Sequence, residues 1–217
     1  MFASTKISEI FPTPIWVVDL EASVHEPLNA GILATVKKLA GDRPAIRPGA
    51  TWQTDPYIHR LPEFAEIARI IRAAAEAAFD SLNIEKRPFS ITGCWVNINP
   101  KGGLNTRHTH PNNFLSGTYY VQVPDGAAAR IIFDDPRPQA MTIMPRVTRH
   151  NKFMGNEIGV DVKAGRLVLF PAWLSHGVPA NPDELERITV SFNLMFDNYT
   201  EAFSQPLWRG TVGPRLR

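Results

Sequence analysis

The sequence predicts an α+β fold, a double-stranded β-helix (jelly roll) with N-terminal helices packed on one of its sheets. Three observations predict it. Apolar residues recur at helical spacing up to about residue 88, and after Arg87-Pro88 the chain turns to short β-rich segments punctuated by Gly, Pro, Asn and Asp. Those later segments number about eight, which suits a double-sheet core.

Taken in order, 26–40 places Leu28, Ile32, Leu33, Val36 and Leu39 on one stripe of an amphipathic helix. The stretch 41–60 carries Pro44, Pro48, Gly49 and Pro56 and reads as an irregular crossing with one short strand at 51–53. A second helix over 62–82, with Ala65, Ile67, Ala68, Ile71, Ala74, Ala75, Ala78 and Phe79 on its apolar side, is built from strong helix formers and is expected to pack on a sheet. Strands are expected at 89–99, 114–123, 129–133, 140–144, 157–162, 166–170, 177–178 and 187–196.

Composition narrows the class. The 217 residues are 44% hydrophobic and 20% charged, and 23 Lys+Arg against 21 Asp+Glu give a net charge of +2. A chain of this size buries roughly 70% of its unfolded surface, so a metal is not needed merely to fold it. One domain is expected over 1–217, with a helical portion 1–88, a jelly-roll core 89–196 and a tail 197–217. The Lys and Arg residues form no dense run, so no nucleic-acid partner is expected. The apolar stretches, such as 166–174, fall short of the ~20 residues of a membrane span. No signal-peptide pattern opens the chain, so a cytoplasmic protein is expected. The lone Cys94, between Gly93 and Trp95 in a strand-like run, reads as a small buried hydrophobe rather than a nucleophile.

Three of the six histidines stand out. In Asn105-Thr-Arg-His108-Thr-His110-Pro, residues two apart on an extended segment share a face, so both imidazoles can converge on one ion. In Leu169-Phe-Pro-Ala-Trp-Leu-Ser-His176, a strand ended by proline and a short turn leads to a histidine opening the next strand. Two ligands from one strand and a third from a distant one make a facial metal site with open positions, the arrangement of a catalytic centre. His25, His59 and His150 lack convergent partners and read as surface residues. The segment 187–193 alternates so that Arg187, Thr189, Ser191 and Asn193 share a face. If that face points into the barrel, Arg187 offers a bidentate clamp for a carboxylate, with Thr189 or Ser191 adding a hydroxyl.

These residues resemble the Fe(II)/2-oxoglutarate-dependent oxygenases. His108-Thr-His110-Pro, Leu115-Ser-Gly-Thr-Tyr-Tyr120-Val, Phe133-Asp-Asp-Pro-Arg137, Leu169–His176 and Arg187–Asn193 look like a bacterial family within that superfamily, as does the opening Phe11-Pro-Thr-Pro-Ile-Trp16. The resemblance implies a jelly roll, Fe(II) as the metal, 2-oxoglutarate as cosubstrate, and oxidation of a small-molecule substrate coupled to decarboxylation of the cosubstrate. It implies that His108 and His176 are the first and last iron ligands and that Arg187 binds the cosubstrate carboxylate. The middle position departs from the pattern: His110 stands where most of the superfamily has a carboxylate. The site is then three-histidine, or two-histidine completed by water or by a more distant carboxylate, with Asp134 and Asp135 able to supply charge from nearby. An offset, with His110 as first ligand and Asn112 following, is a further alternative. Tyr119 and Tyr120 point to opposite faces; Tyr120 is assigned to the cavity and the cosubstrate, and Asn193 is a candidate cavity donor.

The same residues resemble the cupins, which share the barrel: Gly102, His108 and His110 fit a first motif that lacks its glutamate, and Gly165, Pro171 and His176 fit a second in which Trp173 replaces a glycine. A cupin-type metalloenzyme without 2-oxoglutarate and a non-enzymatic ligand-binding jelly roll are therefore the alternatives. The turn 124–127 and the connection 136–156, with Arg146, Arg149, His150 and Lys152, are the surfaces expected to select the substrate, and their charge suggests an anion. Exposed β edges and the tail segment 208–215 leave a homodimer open.

Overall fold

The computed structural model describes residues 2–41, 46–47, 49–124, 129–143, 145–149 and 151–199; His150, residues 125–127 of the predicted turn and the tail segment 208–215 lie outside them. In chain order the elements are β1 (Trp16–Asp19), α1 (Ala22–Ala40), β2 (Trp52–Gln53), two 3-10 turns (Ile58–Arg60 and Pro62–Phe64), α2 (Ala65–Ser81), β3 (Phe89–Asn99), β4 (Asn105–His108), β5 (Leu115–Gln122), β6 (Arg130–Asp134), a 3-10 turn (Pro138–Met141), β7 (Glu157–Asp161), β8 (Arg166–Pro171), β9 (His176–Val178) and β10 (Arg187–Phe196). The strands form two antiparallel sheets, β1-β8-β5-β10-β3-β2 and β4-β9-β6-β7. This is the α+β jelly roll expected from the sequence. Among the described residues no helix is long and apolar enough to cross a membrane.

The six-stranded sheet is covered on both faces. On one face Ile32 and Val36 of α1 and Ile67, Ile71, Ala75 and Phe79 of α2 join Val96, Ile98, Tyr119, Val190, Phe192 and Leu194 in the larger apolar core. On the other, Tyr120, Val168 and Phe170 pack with Ile131 and Phe133 of the smaller sheet. The period-two alternation of β3 and β10 thus sends Val96, Ile98, Val190 and Phe192 to the helices and their polar neighbours toward the second sheet. Full burial of each large apolar side chain contributes roughly 1.5–3 kcal/mol, so the helix-facing set fixes the register and, with it, the direction of the polar row.

Gly117 shows how close that packing is. It pairs with Phe192 across β5 and β10. A Cβ at this position would lie 2.4 Å from the Phe192 ring and 2.8 Å from the Val168 carbonyl. Because the carbonyl is backbone, Gly117→Ala is expected to cost about 1–3 kcal/mol by overpacking, read as a lowered midpoint in a thermal melt. An unchanged midpoint would mean that the ring and strand yield freely.

Several local expectations need correction. The predicted strand at 140–144 falls on the 3-10 turn Pro138–Met141, where two nearby prolines fix φ and remove strand donors. β1 was not expected from its four residues; it pairs with β8, and Arg166 clamps Asp19 with bonds of 2.6 and 2.7 Å. That guanidinium holds the Asp19 carboxyl at a pKa of about 2. α1 begins at Ala22 rather than Glu26, with Pro27 inside it, and Leu39 of the predicted stripe is exposed. Asn29 takes a buried place instead, accepting a 2.6 Å hydrogen bond from the Tyr119 hydroxyl.

Candidate metal centre

The three histidines are brought together by strand pairing. His108 closes β4 and lies opposite His176, the first residue of β9, which is also paired with Phe133 on β6. The turn after β8 is closed by the Leu174 N–H donating to Pro171 O at 2.9 Å, and the His110 N–H donates to Ala172 O in the same turn at 2.8 Å. The proline that ends β8 therefore starts the turn that delivers His176, and one backbone bond ties the His-x-His segment to it. Their candidate ligand atoms all lie within 4.8 Å of one another. Ring centroids are 4.4 Å apart for His108 and His176, 4.9 Å for His108 and His110, and 5.1 Å for His110 and His176.

The protonation pattern suits a cation. Nδ1 of His108 lies 2.8 Å from Thr106 O, and Nδ1 of His176 lies 2.9 Å from Leu174 O. A carbonyl only accepts, so each Nδ1 carries the proton and each Nε2 keeps a free lone pair. His176 is buried beside the Phe170 and Phe133 rings, and burial brings its pKa down to about 4. Burial, with the charge of His108, does the same for His110, also to about 4. Both rings are neutral at pH 7, the form in which imidazole binds a metal.

Among the described residues no carboxylate joins the cluster. Asp134 is engaged by Arg107 at 3.0 Å and by the Ser175 hydroxyl at 2.6 Å, and Arg107 also pairs with Glu157 at 2.8 Å. Asp135 is held by Arg137 through bonds of 3.0 and 2.7 Å. Asn112 is exposed in a left-handed turn with φ 64°. Among the described residues the donor set is thus His108, His110 and His176.

The same cleft runs between the sheets to Arg187, past Trp95, Asn97, Thr118, Tyr120, Thr189 and Ser191. Arg187 is 2% exposed and donates from Nη2 to Pro179 O at 3.0 Å, while its Nε–H has no partner among the described residues. The Tyr120 hydroxyl, also buried, has none either. Burial pulls the Arg187 pKa down and pushes that of the Tyr120 phenol up. Thr189 lies opposite Tyr120 on the adjacent strand, and Arg187 is two residues further along the same face. A buried guanidinium with no carboxylate partner among the described residues is costly, and its own orphaned Nε–H together with the orphaned Tyr120 hydroxyl makes a place where an anion can be received.

Of the residues expected at the site, the structure brings His108, His110, His176, Arg187, Thr189, Ser191 and Tyr120 to one cleft. Asn193 is not among the cleft residues; it accepts a 2.7 Å bond from the Ser116 hydroxyl. Sequence reasoning passed over Asn97, Gln53 and Trp95. The alternation Trp95, Asn97, Asn99 along β3 was the available signal, because these residues face Ser191, Thr189 and Arg187 across the ladder.

Residues 93–193 match a family model described as "Putative 2OG-Fe(II) oxygenase". No curated protein matches the chain significantly by sequence. Among solved structures, the chain is similar to the non-heme alpha ketoglutarate dependent epimerase SnoN from nogalamycin biosynthesis, with a TM-score of 0.62 at 17% identity over 94% of this chain and 89% of that one. It is similar to a Pseudomonas putida prolyl-4-hydroxylase, with a TM-score of 0.57 at 16% identity over 85% and 94% of the two chains. HygX from Streptomyces hygroscopicus, solved with nickel and 2-oxoglutarate bound, gives a TM-score of 0.59 at 13% identity over 91% and 86%. At these identities the structural likeness is one of fold.

Proposed function

We propose, from the premise that this chain belongs through residues 93–193 to the 2OG-Fe(II) oxygenases, that His108, His110 and His176 hold Fe(II) and that Arg187, Tyr120 and Thr189 hold the distal carboxylate of 2-oxoglutarate. One observation carries the assignment of roles: three clustered imidazoles, two of them with Nδ1 bonded to a carbonyl and Nε2 left free, share a narrow cleft with Arg187 and Tyr120, whose Nε–H and hydroxyl have no partner among the described residues. When bound, Fe(II) and 2-oxoglutarate supply oxygen activation coupled to decarboxylation of the cosubstrate to succinate and carbon dioxide.

The chain's own residues divide the remaining work. The Thr106 and Leu174 carbonyls hold two ligand rings in one tautomer and one orientation. Phe133 and Phe170 shield the inner side of His176 from water. The Arg187 fork and the Tyr120 hydroxyl orient a carboxylate by charge-assisted bonds at the closed end of the cleft. Trp95, whose ring lies 6.0 Å from that of His110, and Gln53 line the cleft and form the surface on which a small-molecule substrate is placed. Three neutral imidazoles leave the ion with both its positive charges, which favours anionic partners. Of the basic side chains that the sequence offers for substrate selection, Lys152 is paired with Glu9.

Anaerobic titration of the apoprotein with Fe(II) and then 2-oxoglutarate tests this reading. A metal-to-ligand charge-transfer band is expected only when both are present. Metal uptake without the band points instead to a cupin-type centre that does not use 2-oxoglutarate, and no metal uptake to a binding module.

A further inference from the structure

Asn97 sits on β3 with 5% exposure, at the centre of a hydrogen-bond network that lines the cleft. Its Oδ1 accepts from Gln53 Nε2 at 2.7 Å and from the Trp95 indole Nε1–H at 3.1 Å. Its Nδ2 donates to Ser191 Oγ at 2.8 Å and to Thr189 Oγ1 at 3.3 Å. The orientation is not arbitrary. An indole N–H only donates, so the amide atom facing Trp95 must be the oxygen, and the atom facing the two hydroxyls must be the NH2 group. An amide NH2 also only donates, so both hydroxyls receive a hydrogen bond from Asn97 and cannot give one back to it. The Ser191 proton is then free for Thr118 Oγ1, 3.1 Å away, or for the cleft. Thr189 lies opposite Tyr120 in the ladder and shares the cleft with it and with Arg187, and its proton is left to point into the cleft.

We propose that Asn97 is a positioning residue that sets the polarity of the cleft: by donating to Thr189 and Ser191 it makes their hydroxyls donors toward the ligand, so that the cleft selects an ionised carboxylate, an acceptor-only group. The inference rests on the reading of this cleft as the 2-oxoglutarate site and extends it to a residue that touches neither metal nor cosubstrate. Asn97→Asp keeps the size and the acceptor toward Trp95 and Gln53 but replaces the NH2 donor by a carboxylate oxygen. Thr189 and Ser191 then turn their protons toward residue 97, and the cleft loses a donor.

The test is anaerobic calorimetric titration of the Fe(II)-loaded protein with 2-oxoglutarate, beside a separate measurement of Fe(II) affinity. Asn97→Asp is expected to weaken 2-oxoglutarate binding at least about tenfold, the effect of losing a charge-assisted hydrogen bond, with Fe(II) affinity unchanged. Thr189→Val is expected to weaken it about tenfold in the native background and to have no further effect in the Asn97→Asp background. That non-additivity separates hydroxyl polarity from simple repulsion by the new carboxylate, which predicts additive effects. Trp95→Phe, which removes the donor that fixes the amide without adding charge, is expected to give a smaller loss in the same direction and covers the case in which Asn97→Asp does not fold. Native protein that binds 2-oxoglutarate alongside an Asn97→Asp variant that binds it equally well, or fully additive losses, overturns the inference alone. Native protein that takes up Fe(II) but no 2-oxoglutarate overturns the proposed function and the inference together.

Discussion

Replacing His176 by alanine is expected to lower Fe(II) affinity by more than about 100-fold, since loss of an outer partner of a metal ligand already costs 10–100-fold, and to reduce succinate release to background. The argument is geometric. His176 is the most buried of the three imidazoles, its Nδ1–H is committed to Leu174 O, and among the described residues no carboxylate joins the cluster to take its place. Asp134 cannot step in without giving up Arg107 and the Ser175 hydroxyl. Because His176 packs against Phe170, its removal also opens a void, and a thermal melt must accompany the measurement. His108 is exposed, so His108→Ala makes no comparable void and isolates the ligand effect. Equilibrium dialysis against Fe(II) under nitrogen measures both variants. Affinities within about threefold of the native protein would remove the three-histidine centre from consideration.

Much of this site was legible in the sequence because it depends on local patterns. The spacing of His108 and His110 puts them on one face whatever the rest of the chain does, and the Pro171 turn before His176 is written in adjacent residues. The alternation of 187–193 separated a polar face from an apolar one, and only the direction of the polar face needed the fold. What could not be read depends on partners far apart in the chain. Asn97 looks like any polar residue of an alternating strand until β10 is laid beside it and Thr189 becomes its neighbour. Asn193 obeys the same alternation as Arg187 yet bonds Ser116, its partner directly across the β5 ladder, because the cleft lies toward the other end of the strand. The choice between Tyr119 and Tyr120 depended on which face of β5 the helices cover, and it is Asn29 on α1 that receives the Tyr119 hydroxyl. β1 is four residues long, too short for its alternation to rise above a loop, and exists because β8 offers it an edge.

Arg187→Met should separate stability from function with opposite signs. Arginine at this position is a charged group buried to 2% exposure with no carboxylate partner among the described residues; its Nη2 donates to Pro179 O and its Nε–H is left without a partner. Such a group destabilises the ligand-free fold, because its desolvation is not repaid by a counter-ion. Methionine fills a similar volume without charge, so the ligand-free variant is expected to melt at the native temperature or above it, the small loss at Pro179 O being offset by removal of the buried cation. Binding moves the other way. Losing one partner of a buried, hydrogen-bonded charge pair costs roughly 2–5 kcal/mol, which is more than about 30-fold in the KM for 2-oxoglutarate. Fe(II) affinity is expected to stay the same, because Arg187 does not belong to the histidine cluster. Saturating 2-oxoglutarate at about 100 times its Kd should stabilise the native protein by about 2.7 kcal/mol and leave the variant unmoved. Arg187→Lys is a poor rescue: an ammonium restores the charge but not the planar fork whose Nε–H stands unpaired. A variant that melts well below the native protein and still binds 2-oxoglutarate would show that Arg187 is a structural residue. A variant that melts as high and binds none would show that the fold carries this buried charge for its ligand.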